Sequence, residues 1–106
     1  MTKPLYFVGS ALEDLRAFPR ASRREAGYQL DRVQYGLEPN DWKPMTIVGH
    51  GVREIRIHQE GQYRVVYVAK INDAVHVLHA FQKKTQKTRK QDVEIARRRL
   101  KEIIRK

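Results

Sequence analysis

The stretch that decides the fold is residues 52–88, VREIRIHQEGQYRVVYVAKINDAVHVLHAFQKKTQKT. Three runs within it, 52–58, 63–70 and 75–82, are rich in β-branched and aromatic residues. The segments between them, HQEGQ and IND, are short and contain Gly, Asn or Asp, which is typical of turns that join strands. We therefore predict a three-stranded antiparallel meander in the second half of the chain.

The residues before the meander show the spacing of helices. A short strand is expected over residues 4–8, and Ser10 with Glu13 forms a capping-box pattern that opens a helix ending at Pro19. A second helix is predicted from about residue 20 to 35, with Gly36 placed to end it. Apolar residues recur at helical spacing in both helices: Ala11, Leu12, Leu15 and Phe18 in the first, and Ala26, Leu30, Val33 and Leu37 in the second. We expect a helical hairpin that packs on the sheet.

The remaining segments complete the expected fold. Residues 38–51 contain two prolines and two glycines and are predicted to be loop, with a brief strand at 45–48. Thr88 and Gln91 form a second capping-box pattern, which opens a helix to the C-terminus. Its apolar stripe is Val93, Ala96, Leu100 and Ile103. The order β-α-α-β-β-β-α predicts one α+β domain over residues 1–106, with two N-terminal helices packed on a small antiparallel sheet.

Positive charge is concentrated at the end of the chain. The formal net charge is +10, and residues 83–106, here called the basic tail, hold eleven Lys or Arg against three acids. Such a field favours an anionic partner, since each neutralised phosphate releases counterions. A membrane surface is less favoured, because the apolar stripe of the last helix is narrow and lacks an aromatic anchor. The alternative is a helix face that is merely solvated.

Composition excludes several kinds of chemistry. The absence of cysteine excludes disulfides, thiolate zinc sites and a cysteine nucleophile. The first nine residues have the pattern of neither a signal peptide nor a membrane span, so a cytoplasmic location is expected. The four histidines, at 50, 58, 76 and 79, are spread without a carboxylate cluster, so neither a metal nor a cofactor is expected. Arg, Lys and His remain, and they suit cleavage of RNA by its own 2′-hydroxyl.

Arg64 is the most informative single position. It falls in phase with Val66 and Val68, on a face that is otherwise apolar, where an unpaired guanidinium would be costly. Its anion is either an RNA phosphate or a buried carboxylate such as Glu54 on the neighbouring strand. Arg53 and Arg56 lie on opposite faces of that strand, so at most one of them can share a cleft with Arg64.

Other basic residues are candidates for the same site. Lys83, Lys84 and Lys87 follow the last strand and precede a helix N-terminus, where phosphate would collect. His79 is in phase with Val75, Val77 and Phe81, so it is either a proton-transfer group or a hydrogen-bonded core histidine. His58, near a hairpin turn, is expected to be simply exposed. The candidate catalytic residues are Arg64, Lys83, Lys84 and His79, and the candidate RNA-binding residues are Arg53, Arg56, Lys87, Arg89, Lys90, Arg97, Arg98 and Lys101.

Three segments together, VREIRI, GQYRVVYVAK and VHVLHAFQKKTQKT before a basic helix, resemble the RelE/ParE toxin superfamily, and more narrowly its phage-derived HigB-like branch. The resemblance covers about residues 6 to 104. It implies a RelE-like fold and a toxin neutralised by a helix-turn-helix, HigA-like antitoxin. In the ribonuclease branch, it further implies cleavage of messenger RNA in the ribosomal decoding site.

By position, Arg64 matches the strand arginine that contacts the scissile phosphate in RNA-cutting members, and Lys83 and Lys84 match the basic pair after the final strand. Some of these relatives carry a tyrosine beyond that pair for proton transfer, whereas this chain has none after Tyr67. Arg89 stands where similar sequences often have proline. Two alternatives stay open: a gyrase inhibitor of the ParE type on the same fold, and a non-catalytic nucleic-acid-binding protein.

Overall fold

The computed structural model describes residues 2–105. Along the chain the elements are β1 (Leu5–Phe7), α1 (Ala11–Arg16), α2 (Arg20–Gln34), β2 (Trp42–Pro44), β3 (Val52–Ile57), β4 (Tyr63–Ile71), β5 (Ala74–Gln82) and α3 (Lys90–Ile104). The fold is therefore α+β, with three helices around one five-stranded sheet. The predicted meander is confirmed, because β3, β4 and β5 pair antiparallel in sequence order.

The sheet is mixed, which corrects the prediction of a purely antiparallel one. Its order is β1-β5-β4-β3-β2, and β1 runs parallel to β5, with Tyr6 opposite His76. The α1–α2 hairpin returns the chain to the far edge of the sheet, so β1 and β5 are not joined by a turn. At the other edge, β2 adds an antiparallel strand that the predicted element order lacked.

The brief strand predicted at residues 45–48 is wrong. The strand lies just before it, at Trp42–Pro44, and the following residues form a turn in which the Val48 N–H donates to the Met45 carbonyl at 3.0 Å. That turn directs Met45 and Val48 into the core beneath α3. Their apolar character therefore reflects burial in a turn, and only the Met45 N–H still bonds to β3, donating to Val52 O at 2.8 Å.

The two faces of the sheet carry separate cores. Helices α1 and α2 cover one face, where Ile55, Val65 and Val77 are buried. Helix α3 covers part of the other face, and its residues Val93, Ala96 and Leu100 pack there as the periodicity predicted. A bulge in β5 shifts its register against β4 between Val77 and His79, so the alternation of side chains changes phase at Leu78.

The helix ends differ from the predicted capping boxes. The Ser10 hydroxyl donates to Asp14 Oδ2 at 2.8 Å, and Arg89, not Thr88, is the residue that precedes α3. Gly36 ends α2 as predicted, with a positive φ of 84° that favours glycine. Leu37 lies beyond this end and is exposed, so it does not extend the buried stripe of α2.

Candidate nucleic-acid interface

Helix α3 leaves one end of its sheet face uncovered. Beneath the helix this face is apolar, but toward the β3–β4 hairpin it becomes charged. Side chains from β2, β3, β4 and the end of β5 meet there, because their alternation directs them to the same side. We call this region the cationic cleft, and its residues are Lys43, Glu54, Arg56, Arg64, Lys83 and Thr88.

A fully buried carboxylate lies at the centre of the cationic cleft. Glu54 Oε1 is 3.8 Å from both Lys43 Nζ and Arg64 Nε, and Thr88 Oγ1 donates to Glu54 Oε2 at 3.5 Å. All three contacts are long, and among residues 2–105 Oε1 has no donor within hydrogen-bonding geometry. Glu54 therefore holds the surrounding cations by charge more than by directed hydrogen bonds.

Arg64 forms the base of the cleft and is only 6% exposed. Its Nη1 donates to its neighbour Tyr63 O at 2.9 Å, and its Nε faces Glu54. Burial lowers the pKa of Arg64, Glu54 raises it, and Arg56 on the facing strand lowers it. Of the two anions considered for Arg64 from the sequence, the structure places the Glu54 carboxylate beside it.

Lys83 brings a further positive charge to the same place. Burial lowers the pKa of Lys83; Glu54 raises it, while Lys43, Arg64 and Arg56 each lower it. Lys83 lines a hollow with Lys43 and Thr88, both of which contact Glu54, and Glu54 also pairs with Arg64, so Arg64 and Lys83 lie on the same side of the sheet. Lys84 is exposed next to Lys83. Lys43, Lys83 and Lys87 also line a hollow of about 370 Å³ between residues 43–47 and 83–88.

The rim of the cleft toward the β3–β4 hairpin is an ionic group. Arg56 Nε lies 3.5 Å from Asp41 Oδ1, and His58 Nε2 lies 2.6 Å from Asp41 Oδ2. His58 Nδ1 lies 2.8 Å from Gln62 Oε1. His58 was predicted to be simply exposed; it is half-exposed but held on both ring nitrogens. Its contact with Asp41 depends on the residue just before β2, a strand that the sequence analysis placed at residues 45–48.

Arg53 lies outside the cationic cleft. Its guanidinium carbon is 3.9 Å from the centre of the Trp42 ring, and Nη1 is 3.4 Å from Glu38 Oε2. It borders a hollow with Val33 of α2, so it belongs to the opposite face from Arg56, as predicted. A nucleic-acid contact by Arg53 would therefore require a second surface.

His79 does not lie on the face that its spacing predicted. Because of the bulge at Leu78, its ring turns toward α3, away from the side of Val75 and Val77. It is 5% exposed, its Nε2 lies 2.8 Å from Asp92 Oδ1, and it stacks on Phe81. This geometry favours the second of the two predicted roles, a hydrogen-bonded histidine inside the protein.

The outer side of α3 carries the remaining candidate residues. Arg89, Lys90, Arg98 and Lys101 are exposed, as is Arg97, whose Nε donates to the Ile47 carbonyl at 2.7 Å. Because Ile47 also lines the hollow beside Lys43, Arg97 connects the charged helix to the wall of the cleft. The basic tail and the cationic cleft thus form adjoining positive surfaces.

Arg99 is a buried residue that the sequence analysis missed. Its Nη1 donates to Leu78 O at 3.0 Å and its Nη2 donates to Ser10 Oγ at 2.8 Å. The signal was available, because Arg99 lies three residues after Ala96 and four before Ile103, within the apolar stripe. It joins α3 to β5 and to the start of α1, and so adds no charge to the free surface of the basic tail.

Residues 13–101 match the family of phage-derived Gp49-like proteins (DUF891), a span that includes every residue of the cationic cleft. The chain belongs to this family. The family is a toxin-like one found in toxin–antitoxin systems. A comparison with curated proteins gives no significant match. Between residues 2 and 105, none of its helices combines the length and apolar character that crossing a membrane requires.

Proposed function

We propose that this Gp49-like protein is the toxin of a type II toxin–antitoxin pair and cleaves ribosome-bound messenger RNA in the cationic cleft without a metal ion. The observation that carries the proposal is the convergence of Lys43, Arg56, Arg64 and Lys83 on one uncovered end of the sheet. Even when Lys83 is neutral, Lys43, Arg56 and Arg64 around the single buried acid Glu54 leave a net positive field for a phosphodiester. The family membership supports the toxin class.

Cleavage in this cleft would begin with the 2′-hydroxyl adjoining the scissile phosphate. Lys83 in its neutral form takes the hydroxyl proton, and its lowered pKa increases the fraction of neutral amine at physiological pH. Arg56 and Lys43, which are partly exposed, contact the phosphoryl oxygens, and Arg64 beneath them adds its fixed charge. These groups stabilise the charge that grows on the pentavalent phosphorane.

The positive charge of the cationic cleft favours an acidic antitoxin as the partner. An acidic segment laid over the cationic cleft would neutralise the field that RNA needs, and it would bind fastest at low salt. By the resemblance to the RelE/ParE superfamily, the antitoxin would be a helix-turn-helix, HigA-like protein. The ribosome would supply the messenger RNA as substrate.

Expression of the wild-type chain without an antitoxin tests the proposal. Growth should stop, and primer extension on a reporter transcript should show cuts within the reading frame. Lys83→Ala and Arg56→Ala should relieve both effects. Arg53→Ala is the matched control, because Arg53 is a β3 arginine on the other face, and this variant should remain toxic. Normal growth with folded wild-type protein contradicts the proposal, and DNA breaks with intact transcripts indicate a gyrase inhibitor.

A non-catalytic nucleic-acid-binding protein is the second candidate function. The observation that favours it is the engagement of both Arg64 and His79 by acids, Glu54 and Asp92. A binding protein of this kind would associate with RNA in a strongly salt-dependent way and leave it intact. Incubating the purified protein with programmed ribosomes and with free RNA distinguishes the two functions by the presence or absence of cut product.

A further inference from the structure

His58 is the histidine best placed to transfer a proton in the cationic cleft. Among residues 2–105, His79 is buried against Asp92, and His76 stacks on Tyr6 toward the other end of β5. His50 lies in the loop before β3. The side chain of His58, in contrast, is 48% exposed and shares Asp41 with Arg56 of the cleft.

The shared carboxylate fixes the position of the His58 ring. Asp41 contacts Arg56 through Oδ1 and His58 through Oδ2, so both side chains lie on the same side of β3. The backbone adds to this, because the Arg56 N–H donates to the Asp41 carbonyl at 2.9 Å. Arg56 is opposite Arg64 in the strand register, and His58 is two residues after Arg56, on the same face of the chain. His58 therefore lies at the open end of the cleft, next to the Arg56–Arg64 pair.

Both nitrogens of the His58 ring face oxygen atoms. Nε2 lies 2.6 Å from a carboxylate oxygen of Asp41, and Nδ1 lies 2.8 Å from the amide oxygen of Gln62. Each oxygen can accept a hydrogen bond, so the geometry suits a ring that carries a proton on both nitrogens. Gln62 is an exposed residue of the hairpin and can yield its place on Nδ1 to a ligand.

We propose that His58 is the general acid of the cleavage reaction, oriented by Asp41. The inference rests on the proposed function. As the 2′-oxygen–phosphorus bond forms, the 2′-hydroxyl proton passes to the Lys83 amine. As the bond from phosphorus to the 5′-oxygen breaks, the Nδ1 proton of His58 passes to that oxygen. The products are a 2′,3′-cyclic phosphate and a 5′-hydroxyl, and Asp41 stays ionised as a positioning residue.

Asp41 contacts His58 directly, and the other charged groups of the cationic cleft lie on β2, β3 and β4 and just beyond β5. Asp41 and Lys43 belong to the β2 side, Glu54 and Arg56 to β3, and Arg64 to β4, with Lys83 beyond the end of β5. The reaction needs a deprotonated base and a protonated acid, so its pH–rate profile should be bell-shaped, with the base producing the rising limb and the acid producing the alkaline limb.

The test is single-turnover cleavage of messenger RNA on programmed ribosomes by the full-length protein. His58→Gln should lower the rate about 10²–10⁴-fold and remove the alkaline limb, with binding of the ribosome unchanged. Asp41→Asn should give a smaller loss and keep that limb. The control is His50→Gln, an exposed histidine in the loop before β3, which should cleave at the wild-type rate.

A substrate with a bridging 5′-sulfur at the scissile bond separates a general acid from a structural residue. Sulfur leaves without protonation, so this substrate should restore the rate of His58→Gln and leave Lys83→Ala slow. If His58→Gln cleaves normal RNA as fast as wild type, or is not rescued by sulfur, the inference about His58 fails while the proposed function stands. If the wild type leaves messenger RNA intact, both fail.

Discussion

The Nε2 atom of His79 lies 2.8 Å from Oδ1 of Asp92, and this pair fastens the first turn of α3 to β5. The segment between these strand and helix positions contains Lys83, Lys87 and Thr88, all of which face the cationic cleft or its adjoining hollow. A short tie at the base of a loop limits the positions its tip can take. The His79–Asp92 pair therefore helps to position the segment that contains Lys83, Lys87 and Thr88, although neither residue of the pair lies in the cleft.

Replacing His79 should destabilise the protein more than it impairs chemistry. His79→Phe preserves stacking on Phe81 but leaves Asp92, which is mostly buried, without its partner. The free energy of unfolding should fall by about 1–3 kcal/mol, as measured by urea denaturation. Cleavage per folded molecule should stay within a few-fold of wild type. A variant of wild-type stability that no longer cleaves would instead assign proton transfer to His79.

Removing Arg64 alone should be costly because it isolates a buried acid. Glu54 is 0% exposed, and Arg64→Met leaves Lys43 as its remaining ion-pair partner in residues 2–105. We expect the free energy of unfolding to fall by about 3–5 kcal/mol. The double variant Arg64→Met/Glu54→Leu should recover most of that loss while remaining inactive. With Glu54→Leu as the other single variant, a double loss equal to the sum of the two single losses would show that the pair does not interact energetically.

The Lys83 amine should become reactive toward acetylation at a lower pH than the amine of a free lysine. Its pKa is lowered chiefly by burial, with the neighbouring cations adding to the effect, so its uncharged fraction rises earlier as pH increases. Acetylation rates measured across pH by mass spectrometry, with acetyl-lysine amide as the reference, should show this shift.

Glu54 supplies the control for that measurement. Because Glu54 opposes the lowering of the Lys83 pKa, Glu54→Gln should move the midpoint of the acetylation profile to still lower pH. A midpoint at or above that of the free amide would contradict the coupling between Lys83 and the cleft.

Binding of RNA should depend on the exposed cations of α3. Arg98→Gln and Lys101→Gln should each weaken binding and reduce the slope of log affinity against log salt by about one, if each side chain neutralises one phosphate. Arg24→Gln is the matched control, since Arg24 is exposed on α2 and on the other side of the sheet. Fluorescence anisotropy with a labelled RNA measures both quantities. Unchanged slopes for the α3 variants would show that the charged face of this helix is merely solvated and does not bind RNA.

The parts of the fold that repeat over many residues could be predicted from the sequence. The alternation in β3 to β5 and the helical spacing of α2 and α3 each extend over six or more residues, so burial of one face dictates the structure. The three-residue strand β2 contains Pro44 and has no such period. Its predicted position at residues 45–48 was three residues too late, which hid the contact of Asp41 with His58.

Pairings between segments that are distant in the sequence were the second kind of feature that the sequence could not predict. Nothing local in residues 5–7 specifies parallel pairing with β5, because that choice depends on where α1 and α2 return the chain. The bulge at Leu78 was equally hidden, and one extra residue was enough to move His79 to the other face. That Arg64 and Lys83 lie on the same side of the sheet could be expected, since Arg64 is in the regular meander and Lys83 directly follows its last strand.

The separation of the two sheet faces affects which residues of this domain can be substituted during evolution. The larger core beneath α1 and α2 shares no side chain with the cationic cleft, so energetic effects of substitutions in the two regions should be nearly additive. A lineage could therefore exchange the partly exposed cleft residues, such as Lys43 and Arg56, to acquire a new target or to escape its antitoxin with little loss of stability, whereas the buried Glu54 and Arg64 would have to change together.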